Sequence, residues 1–152
     1  MQKSPNQEMV QFRKKHFVPT ALIYHKEPLH LVKAVGRSVW DESGNEYLDA
    51  IGGIICIASG HNHPKIKKAL LQMLEDDEIQ HTSMLYLSRH PIELAKKVLE
   101  VLPSGFDQVF FTNSGSEANE QAIMTARQYT GETMILHLRH SYHGGTLGTL
   151  AA

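Results

Sequence analysis

Residues 109–138 hold this chain to one kind of fold. Val109-Phe110-Phe111 is a short aromatic and β-branched run, as a strand buried on both faces would carry. Asn113-Ser114-Gly115-Ser116-Glu117-Ala118-Asn119-Glu120 follows, and Ala118, Ala122, Ile123, Ala126 and Tyr129 then recur near the helical period. After a turn at Gly131, Met134 to Leu138 forms a second apolar run. Strand, small-residue turn, helix and strand in that order predict a βαβ unit within an α/β fold.

The small-residue turn has two readings. Gly115 and Ser116 stand at a predicted helix N-terminus, where free N–H groups and the helix dipole favour a phosphate. Ser114 and Glu117 are also spaced as a capping box, which starts a helix with no ligand nearby. Spacing alone puts the cap first, because capping boxes are common and anion sites are few. No G-x-G-x-x-G and no G-K-[ST] occurs, so dinucleotide and nucleoside-triphosphate loops are not indicated. The residues by themselves describe a phosphate cradle of unspecified client, or a capped helix.

Charge and composition narrow the setting. With a net charge of −1 and basic runs only at Arg13 to Lys15 and Lys65 to Lys68, nothing points to nucleic acid or anionic membrane. The single cysteine, Cys56, cannot form an internal disulfide, which fits a reducing compartment. No apolar stretch approaches membrane length and the N-terminus lacks a signal-peptide core, so the expected address is the cytosol.

Ahead of the βαβ unit, a short helix is predicted around Glu8 to Lys15. Strands follow at Leu31 to Val35 and Arg37 to Trp40, flanking Gly36. A turn over Asp41 to Asn45 leads into Glu46 to Asp49, and together these form a small antiparallel sheet. Residues 50–60 read as an apolar, flexible loop. Pro64 opens a helix with its stripe at Ile66, Ala69, Leu70, Met73 and Leu74. A second helix from about Pro91 to Leu102 is apolar around much of its circumference and is expected to be buried. Two parallel strands alone leave edges and faces uncovered, so the expectation is the front of a larger domain.

Several motifs now stand in register. They are Val39-Trp40-Asp41 with Gly44 and Tyr47-Leu48-Asp49, then Gly60-His61 and His63-Pro64, then Phe110 to Glu120, and last Tyr142-His143-Gly144. In this order and spacing the chain, from about residue 20 onward, resembles the class III (ω-amino acid) family of pyridoxal-phosphate-dependent aminotransferases. His81-Thr82-Ser83 looks most like the alanine–glyoxylate aminotransferase subgroup. The resemblance implies a fold-type-I transferase, with residues 1–75 a small N-terminal segment and 76–152 the beginning of a large cofactor domain.

The resemblance also implies site roles. Ser114, Gly115 and Ser116 would hold the phosphate of pyridoxal 5′-phosphate. Tyr142 would stack on its ring, and His143 would lie beside that ring. Ile54 matches a position near the substrate. Amino-group transfer from an amino acid or ω-amine to a 2-oxo acid or glyoxylate would follow, in a homodimer. The reaction needs a lysine that binds the cofactor covalently and an acidic partner for the ring nitrogen. All ten lysines, Lys3 to Lys97, precede the phosphate motif and match no such position, so no catalytic residue is expected here. The expectation is an N-terminal segment inactive alone.

Two other classes compete. Ten histidines invite a metal reading, with His137, His140 and His143 evenly spaced. Residues three apart on a strand point to opposite faces, and no cysteine or carboxylate completes a tetrahedral set, so no metal is expected. The stronger rival is a non-catalytic fragment that pairs with a full-length homologue or a separate C-terminal half.

Overall fold

A computed structural model describes residues 5–18, 25, 27–83 and 85–151. Two compact units are present, Met1–Gln80 and His81–Ala152.

In the first unit, helix α1 (Pro5–His16) extends the predicted helix at both ends. Glu8 lies in its first turn and Arg13 to His16 in its last, each sign at the dipole end that favours it. Strands β1 (Leu31–Val35), β2 (Ser38–Asp41) and β3 (Glu46–Leu48) form an antiparallel sheet in the order β1-β2-β3, the predicted meander. Val35 pairs with Ser38 around a tight turn at Gly36, whose φ of 58° suits a residue without Cβ. Val39, the buried apolar residue among those described, is on the central strand.

The β2–β3 connection is organised by one carboxylate. Asp41 Oδ1 accepts the N–H groups of Ser43 and Asn45, both at 2.9 Å. Its Oδ2 accepts Asn45 Nδ2 at 3.0 Å and the Tyr47 hydroxyl at 2.8 Å. The Asn45 side chain contributes most to holding the Asp41 carboxyl at about 2, from an ordinary value of 3.8. A depressed folded-state value means stabilisation present above the unfolded value and lost as pH falls through the folded one. The Ser43 and Asn45 amide shifts should therefore titrate with a midpoint near 2. Asn45→Ala should raise that midpoint; a wild-type midpoint near 3.8 would show that the turn exerts no such hold.

Residues 50–60 are not a loose loop. They contain α2 (Gly52–Ile55), a single turn in which φ is 57°, 61°, 63° and 68° at Gly52, Gly53, Ile54 and Ile55. The turn is left-handed and closes with Ile55 N–H to Ile51 O at 2.9 Å. Helix α3 (Pro64–Glu75) begins with its proline as predicted and presents a partly exposed stripe.

The second unit comprises α4 (Arg89–Val101), α5 (Gly115–Thr130) and α6 (Leu147–Leu150). Gly131 ends α5 in the left-handed conformation, with φ 74° and its N–H on Arg127 O. Two expectations are corrected here. Residues 109–111 and 134–138 form no strands, so the βαβ unit is present as a helix between unpaired segments. A strand requires a hydrogen-bonded neighbour, and neither run has one among the described residues. Helix α4 has no buried residue, because no described element packs on it: the element pairs in contact are β1–β2, β2–β3 and α5–α6.

Candidate functional site

The N-terminus of α5 is built by two side chains that each accept one backbone N–H, one inside the helix and one just before it. Ser114 is extended (φ −149°, ψ 159°), and its Oγ accepts the Glu117 N–H at 3.2 Å. The Glu117 carboxylate reaches back to the Asn113 N–H at 2.7 Å, one residue before the Ser114 N–H of a standard capping box. Both readings of the octapeptide are thus compatible. The cap forms, and the N–H groups of Gly115 and Ser116 remain without an acceptor among the described residues. A Cβ built on Gly115 meets nothing within 4 Å, so that end of the helix is open.

The next turn of α5 holds a distant segment. The Asn119 side-chain N–H donates to His143 O at 2.7 Å. Ser116 Oγ accepts the Gly145 N–H, 29 residues along the chain, at 3.0 Å. Glu120 Oε2 accepts the Thr146 hydroxyl and, at 2.9 Å, the Gly148 N–H. The Thr146 hydroxyl, ahead of the backbone N–H groups of Gly148 and Thr149, holds the Glu120 carboxyl below its ordinary range. Thr146 and Thr149 complete the start of α6 with a reciprocal cap, Thr146 N–H to Thr149 Oγ1 at 2.9 Å.

Two glycines permit the approach. A Cβ on Gly144 would lie 2.7 Å from Ser116 Oγ, 2.8 Å from Thr149 Oγ1 and 2.9 Å from Ser116 Cα. On Gly148 it would lie 2.7 Å from a Glu120 carboxylate oxygen. The structure therefore brings His143 and Gly144 against Asn119 and Ser116, at the start of α5. Tyr142 adjoins them with its side chain largely exposed. His143 Nε2 is buried without a hydrogen-bond partner among the described residues, and its ring meets His137 edge-on at 6.0 Å. Among the described residues no three His, Cys, Asp or Glu side chains group as metal ligands.

Ile54 belongs to the first unit, where α2 carries it 81% exposed. Asp49 secures the base of that turn: Oδ1 accepts the Ile51 and Gly52 N–H groups at 3.1 and 2.8 Å. His61 Nε2–H donates to Oδ2 at 2.7 Å, and this bond does most to lower the Asp49 carboxyl from its ordinary value. The His61 backbone is in turn paired with Gly36, N–H to O at 2.8 and 2.9 Å. Sequence reasoning missed Asn119, Glu120 and the Asp49–His61 pair. The spacing i, i+3, i+4 of Ser116, Asn119 and Glu120 on one helix face was the available signal.

Residues 21–152 match the family described as Aminotransferase class-III. The chain belongs to the class III aminotransferases. It is 37% identical over 147 residues to an acetylornithine aminotransferase of Methanothermobacter thermautotrophicus, covering 97% of this chain and 36% of that protein. It is 35% identical over 149 residues to alanine–glyoxylate aminotransferase 2 homolog 2, mitochondrial, of Arabidopsis thaliana, covering 97% and 31%. Among solved structures, a phospholyase from Arthrobacter in complex with phosphoethanolamine superposes with a TM-score of 0.81 at 32% identity, over 93% of this chain and 32% of that one. Taurine:2-oxoglutarate aminotransferase from Bifidobacterium kashiwanohense, in complex with pyridoxal phosphate and glutamate, gives 0.77 at 31% identity, over 98% and 33%. The chain thus spans about a third of the length of these relatives. Their differing names at similar identity show the family and the fold-type-I architecture, not the substrate. No helix among the described residues is long and apolar enough to cross a membrane.

Proposed function

We propose that this chain supplies the phosphate-holding and ring-stacking half of a pyridoxal 5′-phosphate site in a class III aminotransferase. The enzyme would move an amino group from an amino acid or ω-amine to a 2-oxo acid or glyoxylate. One observation carries the reading: the Gly115 and Ser116 N–H donors, which meet no acceptor among the described residues, lie on the same short stretch of α5 that grips His143, Gly144 and Gly145. The donor set fits a phosphate, since main-chain N–H groups at a helix N-terminus stabilise a dianion without a counter-charged side chain.

In this reading Ser114 shapes the turn, and Gly115 and Ser116 donate to the phosphate. Tyr142 offers an apolar face to the ring and limits its tilt. His143 lies at the ring's side, and its buried Nε2 faces an unmet hydrogen bond. Ile54, on its left-handed turn, sorts substrates by shape. Residues 1–75 act as the small-domain segment and 76–152 as the start of the cofactor domain. When bound, pyridoxal phosphate supplies the carbonyl and the electron-withdrawing ring through which an amino group is exchanged. The covalent lysine comes from outside these 152 residues, and a homodimer completes the site.

Calorimetric titration of the 152-residue chain tests the reading. Pyridoxal 5′-phosphate should bind at least about tenfold tighter than pyridoxal, since charge-assisted hydrogen bonds contribute about 1.5–3 kcal/mol each. No oxo acid should form from any amino donor until a chain with the covalent lysine is supplied. Equal affinity for the two aldehydes would remove the cradle, and turnover by this chain alone would overturn the division of labour.

A further inference from the structure

We propose that Asn119 and Glu120 are positioning residues: by gripping the backbone of residues 143–149 they set where the Tyr142 ring stands relative to the Gly115 and Ser116 N–H groups. The proposal rests on the reading of those N–H groups as the phosphate cradle.

Tyr142 has no hydrogen bond or ring contact of its own among the described residues, and its side chain is 85% exposed. Its position is therefore inherited from the main chain beside it. The first anchor after Tyr142 is the His143 carbonyl, held by the Asn119 side-chain N–H at 2.7 Å. The next are the Gly145 N–H on Ser116 Oγ and the Thr146 and Gly148 groups on Glu120. Most of these bonds go to backbone atoms, so they fix the path of the chain whatever its side chains are. Gly144 and Gly148 bring that path within a distance that a Cβ would forbid. Both gripping residues lie within the first two turns of a 16-residue helix whose own N-terminus is the cradle. One rigid element thus carries the phosphate donors and the anchors of the ring platform. Glu120 directs its bonds to Thr146 and the α6 amides, which makes it a strut and not a proton carrier.

The two functions can be separated by ligand. Inorganic phosphate needs only the helix N-terminus, whereas pyridoxal 5′-phosphate also needs the platform. Asn119→Ala, Asn119→Asp (isosteric, without the N–H) and Glu120→Gln would each be titrated with both ligands, alongside hydrogen exchange at Gly145 and Gly148. Each variant should weaken pyridoxal 5′-phosphate about tenfold, leave phosphate within about twofold, and speed exchange at those two amides. That tenfold step corresponds to about 1.4 kcal/mol. Parallel losses for both ligands, including through loss of the helix, would mean a general structural role and overturn the proposal. An unchanged ratio would overturn it as well, with the cradle intact. If the wild-type chain bound neither ligand, the cradle reading would fall first and this inference with it.

Discussion

Gly144→Ala is expected to release residues 143–149 from α5 and to abolish most of the affinity for pyridoxal 5′-phosphate. The added methyl group would stand within 2.9 Å of three atoms, and one of them, Ser116 Cα, is backbone that cannot rotate away. Overpacking of this kind costs about 1–3 kcal/mol. The glycine φ of 140° adds to this, because side-chain-bearing residues held in sparsely populated backbone regions cost about 1–3 kcal/mol. Even about 2 kcal/mol shifts the docking equilibrium some thirtyfold. Hydrogen exchange at Gly145 and Gly148 reads the release directly. Gly145→Ala is the matched control, since a Cβ there meets nothing within 4 Å. Undiminished protection in Gly144→Ala would mean that the segment is not held by this close approach.

The second large effect concerns the cradle itself. Gly115→Pro should lower phosphate affinity about ten- to hundredfold while leaving helix content unchanged, because it deletes one charge-assisted hydrogen bond of about 1.5–3 kcal/mol and little else. Proline suits the first position of a helix, where its missing N–H is not needed for the helical ladder. The preceding Ser114, at φ −149° and ψ 159°, is already in the extended region that a residue before proline prefers. The Ser114–Glu117 cap survives, since it does not involve the Gly115 N–H. Circular dichroism checks the helix and phosphate titration the site. Unaltered affinity would return the octapeptide to its simpler role as a helix start.

What could be read from the sequence was what neighbours along the chain decide. The helices beginning at Pro64 and Gly115, the meander with its Asp41 turn and the Gly131 stop depend on side chains within a few residues, and each is present. The strand at 109–111 failed because pairing is a relation between distant segments, which composition can favour but cannot supply. The burial expected of α4 failed for the same reason: a wide apolar face states a need for a partner, not its presence. In the site, the Ser114–Glu117 interaction was legible from its spacing. The grip of Asn119 on His143, 24 residues away, was not, because an asparagine on a helix has no marker for its acceptor. Gly144 read as part of a motif, and its steric reason emerged only with Ser116 beside it.

The turn at 52–55 has a stereochemical consequence. Its handedness is the mirror image of the one that l-residues favour, and the l-configuration costs roughly 1–2 kcal/mol per residue there. A d-residue would adopt it without strain. Of the genetically encoded residues glycine comes nearest, and it fills positions 52 and 53. At 54 and 55 the chain sets two isoleucines into the wrong-handed geometry with Asp49 and His61 bracing the base, so two β-branched side chains stand outward where an achiral backbone would have rested more easily.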